Sequence, residues 1–303
     1  MQTHMCNYEI KMSLKIRELS VELSQKAKTD FDETPEKLEQ SVSEIREWLK
    51  VNPHVKPRND DQFLVTFLRG CKYDMNVVKE KLESFYTVRT QLPEFFIDRN
   101  TKDERLRSLL KSGVIFPLPK LMSADGCRII VIRFTSYDLS KYKIAEVIAL
   151  ISLVFDILAI EDDNTTVSGQ IYILDLSGSS FKHVFQFTPS FIKKCATLSQ
   201  GGNPIRVTQQ HFINTPTGFQ TAFNMFKGLI AKDDLLMQVH NKIESLYKYV
   251  PANLLPTEYG GSDIKMSDII EDLSQKFDQY YDYFMEDKNY GVDLEMKKKL
   301  NKK

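Results

Sequence analysis

At 303 residues, 42% hydrophobic and 27% charged, the chain has ordinary globular composition, with room for one large domain and a smaller one. Its 41 Lys and Arg balance 41 Asp and Glu, so no global positive field exists to hold a polyphosphate, and nucleic acid is not an expected partner. Cys6, Cys71, Cys127 and Cys195 lie far apart with no CxxC pair and no histidine at zinc-finger spacing, which argues against a disulfide framework or a metal site and for reduced, cytosolic thiols.

The first twenty residues, MQTHMCNYEIKMSLKIRELS, lack the apolar core of a signal peptide and have no glycine after the first methionine; residues 1–12 are expected to be flexible and nothing addresses the chain to export. KLEQSVSEIREWLK places Leu38, Val42, Ile45 and Leu49 at helical spacing. KPRNDDQFLVTFLRG starts a second helix that Asn59 or Asp60 can cap, and a third runs from about Asn76 to Leu92 before Pro93 stops it. No strand signal interrupts them, so residues 13–112 are expected to form a small helical domain.

From Gly113 the period changes. VIFPLP, CRIIVIRF, GQIYILDL and PIRVTQQHFIN are short β-branched and aromatic runs mostly separated by helical segments, the order of an α/β domain, expected over residues 113–283. The middle two are apolar at nearly every position, as for strands covered on both faces, and Asp125-Gly126 offers a turn before CRIIVIRF. IAEVIALISLVFDILAI, residues 144 to 160, is too short to span a bilayer and contains Glu146 and Asp156, which predicts a helix buried on most of its circumference. Residues 284–303 end in a lysine-rich tail, read as a solvated helix end.

Catalytic signatures are missing: the chain has no GxGxxG after a strand, no GxxxxGK[ST], no HExxH and no GxSxG. DLSGSS, residues 175 to 180, reads as a plain strand-to-helix turn, and His183 and His211 as hydrogen-bonded core histidines. No catalytic residue, cofactor or metal is assigned. What is present is aromatic. In SFKHVFQFTPSFIKKCATL, Phe181, Phe185 and Phe187 precede a proline-initiated helix carrying Phe191, Ile192, Cys195 and Leu198. In NTPTGFQTAFNMFKGLI, Thr215 can cap a helix with Pro216 at its first position, and Phe219, Phe223, Phe226, Leu229 and Ile230 fall on one face. Gly228 weakens that face by about 1 kcal/mol relative to alanine, which suits an element that moves.

Read together, FLRGCKYDMNVVKEKLESFYTVR, DGCRIIVIRF, GQIYILDLSGSSFKHVFQFTPSFIKK, NPIRVTQQHFINTPTGF and LLPTEYGG resemble the successive motifs of the CRAL-TRIO lipid-binding family, in its alpha-tocopherol transfer protein and cellular retinaldehyde-binding protein branch. The resemblance, from Pro35 to Tyr283, implies a three-helix amino-terminal domain, an α/β domain with a mixed five-stranded sheet, and an apolar cavity closed by a mobile gate helix, Phe219 to Gln238. It implies ligand-binding positions at Tyr142, Ile151, Phe181, Phe185, Phe187, Cys195, Leu198, Ser199, Ile205, Val207, Phe223, Phe226, Leu229 and Ile230. Of the branch's basic phosphoinositide cluster it carries over Arg206 and Lys232, while Thr208, Leu236 and Cys71 stand at other positions and cannot supply a planar fork to phosphate. EYGG, Glu258 to Gly261, is expected to fix the backbone beside the last strand. The implied function is a cytosolic, non-enzymatic carrier of a tocopherol-, retinoid- or isoprenoid-like lipid that touches membranes transiently. Two alternatives are a phosphoinositide-responsive membrane adaptor with a vestigial pocket and a lipid-modifying enzyme, for which no nucleophile is displayed.

Overall fold

Side-chain caps set the starts of the first helices. The computed structural model describes residues 14–96, 99–230 and 235–300, and the side chains within them except those of Phe181, Val184, Ala222, Phe226 and Ile230. Residues 1–12, Cys6 and Lys232 therefore lie outside the described residues. Ser20, Thr34, Asp60 and Asp74 each accept an N–H of the first turn, launching α1 (Val21–Phe31), α2 (Pro35–Val51), α3 (Asp61–Gly70) and α4 (Met75–Gln91), with a two-residue strand β1 (Val55–Lys56) before α3. Asp60, not Asn59, is the cap of α3. Pro93 stops α4, and α5 (Glu104–Lys111) follows. Among the described residues five α-helices thus precede the main sheet, where the resemblance implied three. The additional α1 and α5 bury only Leu23, Ala27 and Phe31, and Leu109 and Leu110, too few apolar positions to announce themselves by period. Phe67 and Phe85 meet edge to face at 5.3 Å in the helical core, with Leu64, Leu68 and Leu82 fully buried around them.

The sheet contains β2 (Ile115–Pro117), β3 (Arg128–Ile132), β4 (Gln170–Asp175), β5 (Val207–Ile213) and β6 (Leu236–Val239), in that spatial order. β2 runs antiparallel to β3 and the rest are parallel, so the sheet is mixed. The parallel pairs need crossovers. α6 (Ile144–Glu161) and α7 (Asp163–Val167) join β3 to β4; α8 (Phe181–Gln186) and α9 (Pro189–Gly201) join β4 to β5; α10 (Phe219–Ile230) joins β5 to β6. Every residue of β4 is buried, as its unbroken apolar run predicts, and α6 is buried on most of its surface. No helix among the described residues is long and apolar enough to cross a membrane.

After β6 come α11 (Ile243–Leu246), α12 (Met266–Gln279), α13 (Tyr281–Met285), β7 (Gly291–Val292) and α14 (Leu294–Leu300). β7 pairs antiparallel with β1, so the chain's end returns to the helices at its start. A two-residue bridge has no periodicity, which is why the reading of the first hundred residues as strand-free needs correcting. Arg58 locks the same junction, paired with Glu286 at 2.9 Å and Asp287 at 3.2 Å.

Three local expectations also change. Gly218 adopts φ +86°, a left-handed conformation that cannot continue a helix, so Pro216 to Phe219 form a turn and α10 starts at Phe219 without a Thr215 cap. The gate expected to run as helix to Gln238 is helical over Phe219–Ile230 among the described residues, and Leu236 to Val239 instead hydrogen-bond to β5 as the sheet's edge strand. EYGG is tied directly to β4. Its Tyr259 hydroxyl donates to Asp175 at 2.6 Å at the end of β4, while a Cβ on Gly261 would fall 1.7 Å from the Leu255 carbonyl oxygen. DLSGSS is a turn, as read, with Gly178 at φ +74° and the Ser177 N–H donating to the Asp175 carboxylate at 2.9 Å.

The buried histidines link β5 to the segment after β6. His211 is fully buried, 3.0 Å from His240 through Nδ1 and 2.9 Å from the Gln209 side-chain oxygen through Nε2, and it lies against the Tyr249 ring at 4.8 Å. Burial, and secondly the neighbouring His240, push its pKa down to about 4. A depressed histidine favours folding above its unfolded pKa, and that stability is lost as pH falls from about 6.5 toward 4. Urea unfolding of the wild type is expected to lose roughly 2 to 3 kcal/mol from this group between pH 7 and 4.5. His211→Asn is expected to flatten that slope, and an equal slope in both proteins would show that the histidine is not the cause.

Candidate functional site

The sheet supplies a floor and three helices supply walls. Alternate residues of β4 and β5, Tyr172 and Leu174, then Gln210 and Phe212, face a cavity of about 240 Å³, with Ile132 and Val207 beside them. α6 adds Ile148, Ile151, Ser152 and Phe155 at three- and four-residue spacing; α9 adds Ile192, Cys195, Leu198 and Ser199. Phe219 and Phe223 of α10 close the remaining side, packed on Phe212 with ring centroids 5.5 and 5.2 Å away. Phe155 stacks on Tyr172 at 5.3 Å and 9°, which fixes two aromatic faces of the lining.

Of the positions that the resemblance implies, Ile151, Phe187, Cys195, Leu198, Ser199, Ile205, Val207 and Phe223 line this cavity. Tyr142 does not. It precedes α6 rather than lying on it, and its buried ring packs beneath the Arg105 guanidinium, 4.7 Å from the centroid. Phe185 is 77% exposed because FKHVFQ coils into α8 and turns it outward, and Leu229 on α10 is 42% exposed. The side chains of Phe181, Phe226 and Ile230 lie outside the description. Phe155, Tyr172, His183, Gln210 and Phe219 also line the cavity, although the resemblance did not imply them as ligand-binding positions. The two-residue alternation along QIYILD and VTQQHF carried a signal for Tyr172 and Gln210, but not which face was hollow.

α10 packs on α9. The Gln200 side chain at the end of α9 donates to the Leu229 carbonyl oxygen at 2.7 Å, and nothing lies within 4 Å of a Cβ built on Gly218 or Gly228. At the other end of the cavity, Arg89 donates to both oxygens of Asp156 at 2.7 and 2.9 Å, and Arg99 reaches the same carboxylate at 2.5 Å. Arg89 and Asp156 also border a second, more polar cavity of about 410 Å³ between α3, α4 and α13. That larger space has aromatic walls, among them Phe67, Phe85 and Phe284, but they are interrupted by ion-paired Arg58, Arg99 and Asp287, so the smaller, more uniformly apolar one suits a hydrophobic guest better. Burial raises the Cys195 thiol to about 12, which keeps it neutral and unreactive. Among the described residues no group of three His, Cys, Asp or Glu side chains is placed to hold a metal.

Arg206 is engaged in structure. Its guanidinium donates to the Arg69 and Gly70 carbonyl oxygens at 2.6 and 3.2 Å and to that of Val167, tying the start of β5 to the end of α3. Thr208 donates to the Gln170 carbonyl oxygen, and Cys71 caps α3.

Sequence comparison bears on the same arrangement. The CRAL/TRIO domain pattern matches residues 113–261, and a pattern described as Pinta-like, UBA domain matches residues 34–106. The alpha-tocopherol transfer protein-like protein of Homo sapiens is 32% identical over 248 residues, covering 80% of this chain and 71% of its own. The chain belongs to the CRAL/TRIO family. Clavesin-2 of Homo sapiens is a further relative, 28% identical over 246 residues, with 80% of this chain and 75% of its own covered. A solved structure, that of Sfh5, aligns over 84% of this chain and 92% of its own at 12% identity and a TM-score of 0.45, too remote to bear on the site. CRAL/TRIO relatives form a lipid-binding and lipid-transfer family, and in this member the CRAL/TRIO region contains the strands that floor the cavity.

Proposed function

We propose that this protein carries a small hydrophobic lipid, of tocopherol, retinoid or isoprenoid type, in the cavity under α10 and passes it between membranes when α10 swings aside. The observation that supports this most is a space walled almost entirely by aliphatic and aromatic side chains in the heart of the α/β domain. For a guest of roughly 20 to 30 heavy atoms, about −0.3 kcal/mol per atom gives a binding free energy of about −6 to −9 kcal/mol. Such affinity is modest, so retention depends on a gate, and α10 suits one: a left-handed glycine at Gly218 before it, open space around Gly228 and exposed Leu229. Phe185, on the neighbouring α8, presents a second exposed ring to a bilayer.

Mass spectrometry of an organic extract of the purified protein is expected to return an apolar lipid. In transfer assays between vesicles, the double variant Phe185→Asp with Leu229→Asp is expected to be at least about tenfold slower, since inserting such side chains in the interface is worth up to about 1.5 to 3 kcal/mol each and partial insertion already exceeds the roughly 1.4 kcal/mol of a tenfold change. Lipid affinity at equilibrium should hardly change. Undiminished transfer in the variant would remove α8 and α10 from the membrane-contacting role.

A further inference from the structure

Among the described residues that line the apolar cavity, two buried polar atoms have no hydrogen-bond partner. Other polar side chains of the wall are engaged within the protein: Ser152 donates to the Ile148 carbonyl oxygen at 2.9 Å, Tyr172 to the Gln170 side-chain oxygen at 2.8 Å, Thr135 to the Ser177 carbonyl oxygen, and the Asn203 oxygen accepts from Ile205 N–H at 2.9 Å. Gln210 differs. It is 4% exposed, sits mid-sheet between Tyr172 of β4 and Met237 of β6, lines the cavity, and its Oε1 has no hydrogen-bond partner. The second such group is His183 Nε2, on a side chain 8% exposed. Its Nδ1 accepts the Ser180 N–H at 3.1 Å, so a neutral ring carries its proton on Nε2, which is then a donor without an acceptor. Burying an unpaired polar group destabilises a fold, so a wall that keeps two of them is shaped for oxygen on the guest rather than for pure hydrocarbon.

We propose that Gln210 hydrogen-bonds a hydroxyl of the carried lipid, so that the cavity selects a lipid alcohol over the same skeleton bearing an ether. The proposal rests on the carrier reading above and adds the group that decides which guests are taken. An orphaned amide oxygen needs a donor; a hydroxyl is one and a methyl ether is not. In the orientation found, Oε1 is the unpaired atom, so the amide calls for a donor, which the ether cannot supply. Ether binding would leave the same oxygen unpaired and add the loss of the ligand's own hydration, the situation in which hydrogen-bonding sites discriminate most strongly.

The test uses the full chain and displacement of a fluorescent fatty probe by three alcohol and methyl ether pairs, built on a tocopherol, a retinol and a prenol. For the skeleton that fits, the alcohol is expected to bind wild type at least about tenfold more tightly than its ether. Gln210→Leu and Gln210→Met should bring that ratio close to one while binding the ether no worse than wild type. Both variants, free of ligand, should melt at or above the wild-type temperature, since each removes an unpaired buried oxygen. Equal binding of alcohol and ether by wild type, as would follow if a water served Gln210, overturns the proposal and leaves the carrier reading standing. A preference that survives in both variants also overturns it. Failure of every pair to displace the probe would instead bring down the carrier reading itself.

Discussion

Asp156→Asn is expected to cost about 3 to 5 kcal/mol of folding stability, the largest single-site effect anticipated for this chain. The carboxylate is held by two guanidinium groups, Arg89 and Arg99, whose side chains are 15% and 9% exposed, so asparagine would leave two buried cations facing one another. Arg89 keeps the Gly202 carbonyl oxygen and Arg99 keeps Asp287, but neither replaces the lost charge. Burial already disfavours the charged form of Arg89, and Asp156 is the chief influence acting the other way. Because these residues stand between the apolar cavity and the polar one, the variant should also loosen the partition and admit water to the lipid side. Denaturant unfolding measures the first effect, and a loss below about 1 kcal/mol would mean that the pair behaves as a solvated surface bridge.

Cys195→Trp is expected to weaken lipid binding strongly while the fold survives. The thiol lines the cavity from α9, half-buried, and an indole in its place would project into a space of about 240 Å³ that the protein's own side chains do not fill. Overpacking a filled core costs about 1 to 3 kcal/mol, and here the free volume should keep the penalty at the lower end. Affinity for a fluorescent lipid is expected to drop about a hundredfold, or about 2.8 kcal/mol. Phe185→Trp, on an exposed position, is the matching control and should bind as wild type. Retained affinity in Cys195→Trp, with unchanged circular dichroism, would place the guest elsewhere, with the polar cavity beyond Arg89 as the next place to look.

The buried histidine pair sits beside the proposed gate. His211 and His240 join β5 to the turn after β6, and α10 lies between these strands in the chain. Acidification that loosens the pair acts on the anchorage of the edge strand, which is why the pH dependence of stability and of the proposed lipid release are worth measuring together.

Much of the architecture was legible because it depends on short-range pattern. The unbroken apolar runs of β3 and β4, the three- and four-residue spacing along α2 and α6, and the stops at Pro93 and Gly113 each follow from a residue and its near neighbours. Family resemblance then supplied the order of elements and a hollow domain, neither of which periodicity can distinguish from a solid core. Where local reasoning failed, the deciding contact was distant or backbone-borne: β6 exists because Leu236 to Val239 pair with β5, and β1 because residues 291 and 292 return across the whole chain. The cavity wall shows the same division. Cys195, Leu198 and Val207 lie on helix and strand faces that the pattern defines, whereas Phe185 turns outward because a single helical turn, α8, intervenes. Gln210 looks like any polar residue in a strand until the fold sets it on an apolar floor with nothing to bond. The sequence by itself determined which segments coil or extend and which family they assemble like; only the tertiary structure decided which faces enclose empty space, because a void is a property of side chains brought together from β4, β5, α6, α9 and α10 and belongs to none of them alone.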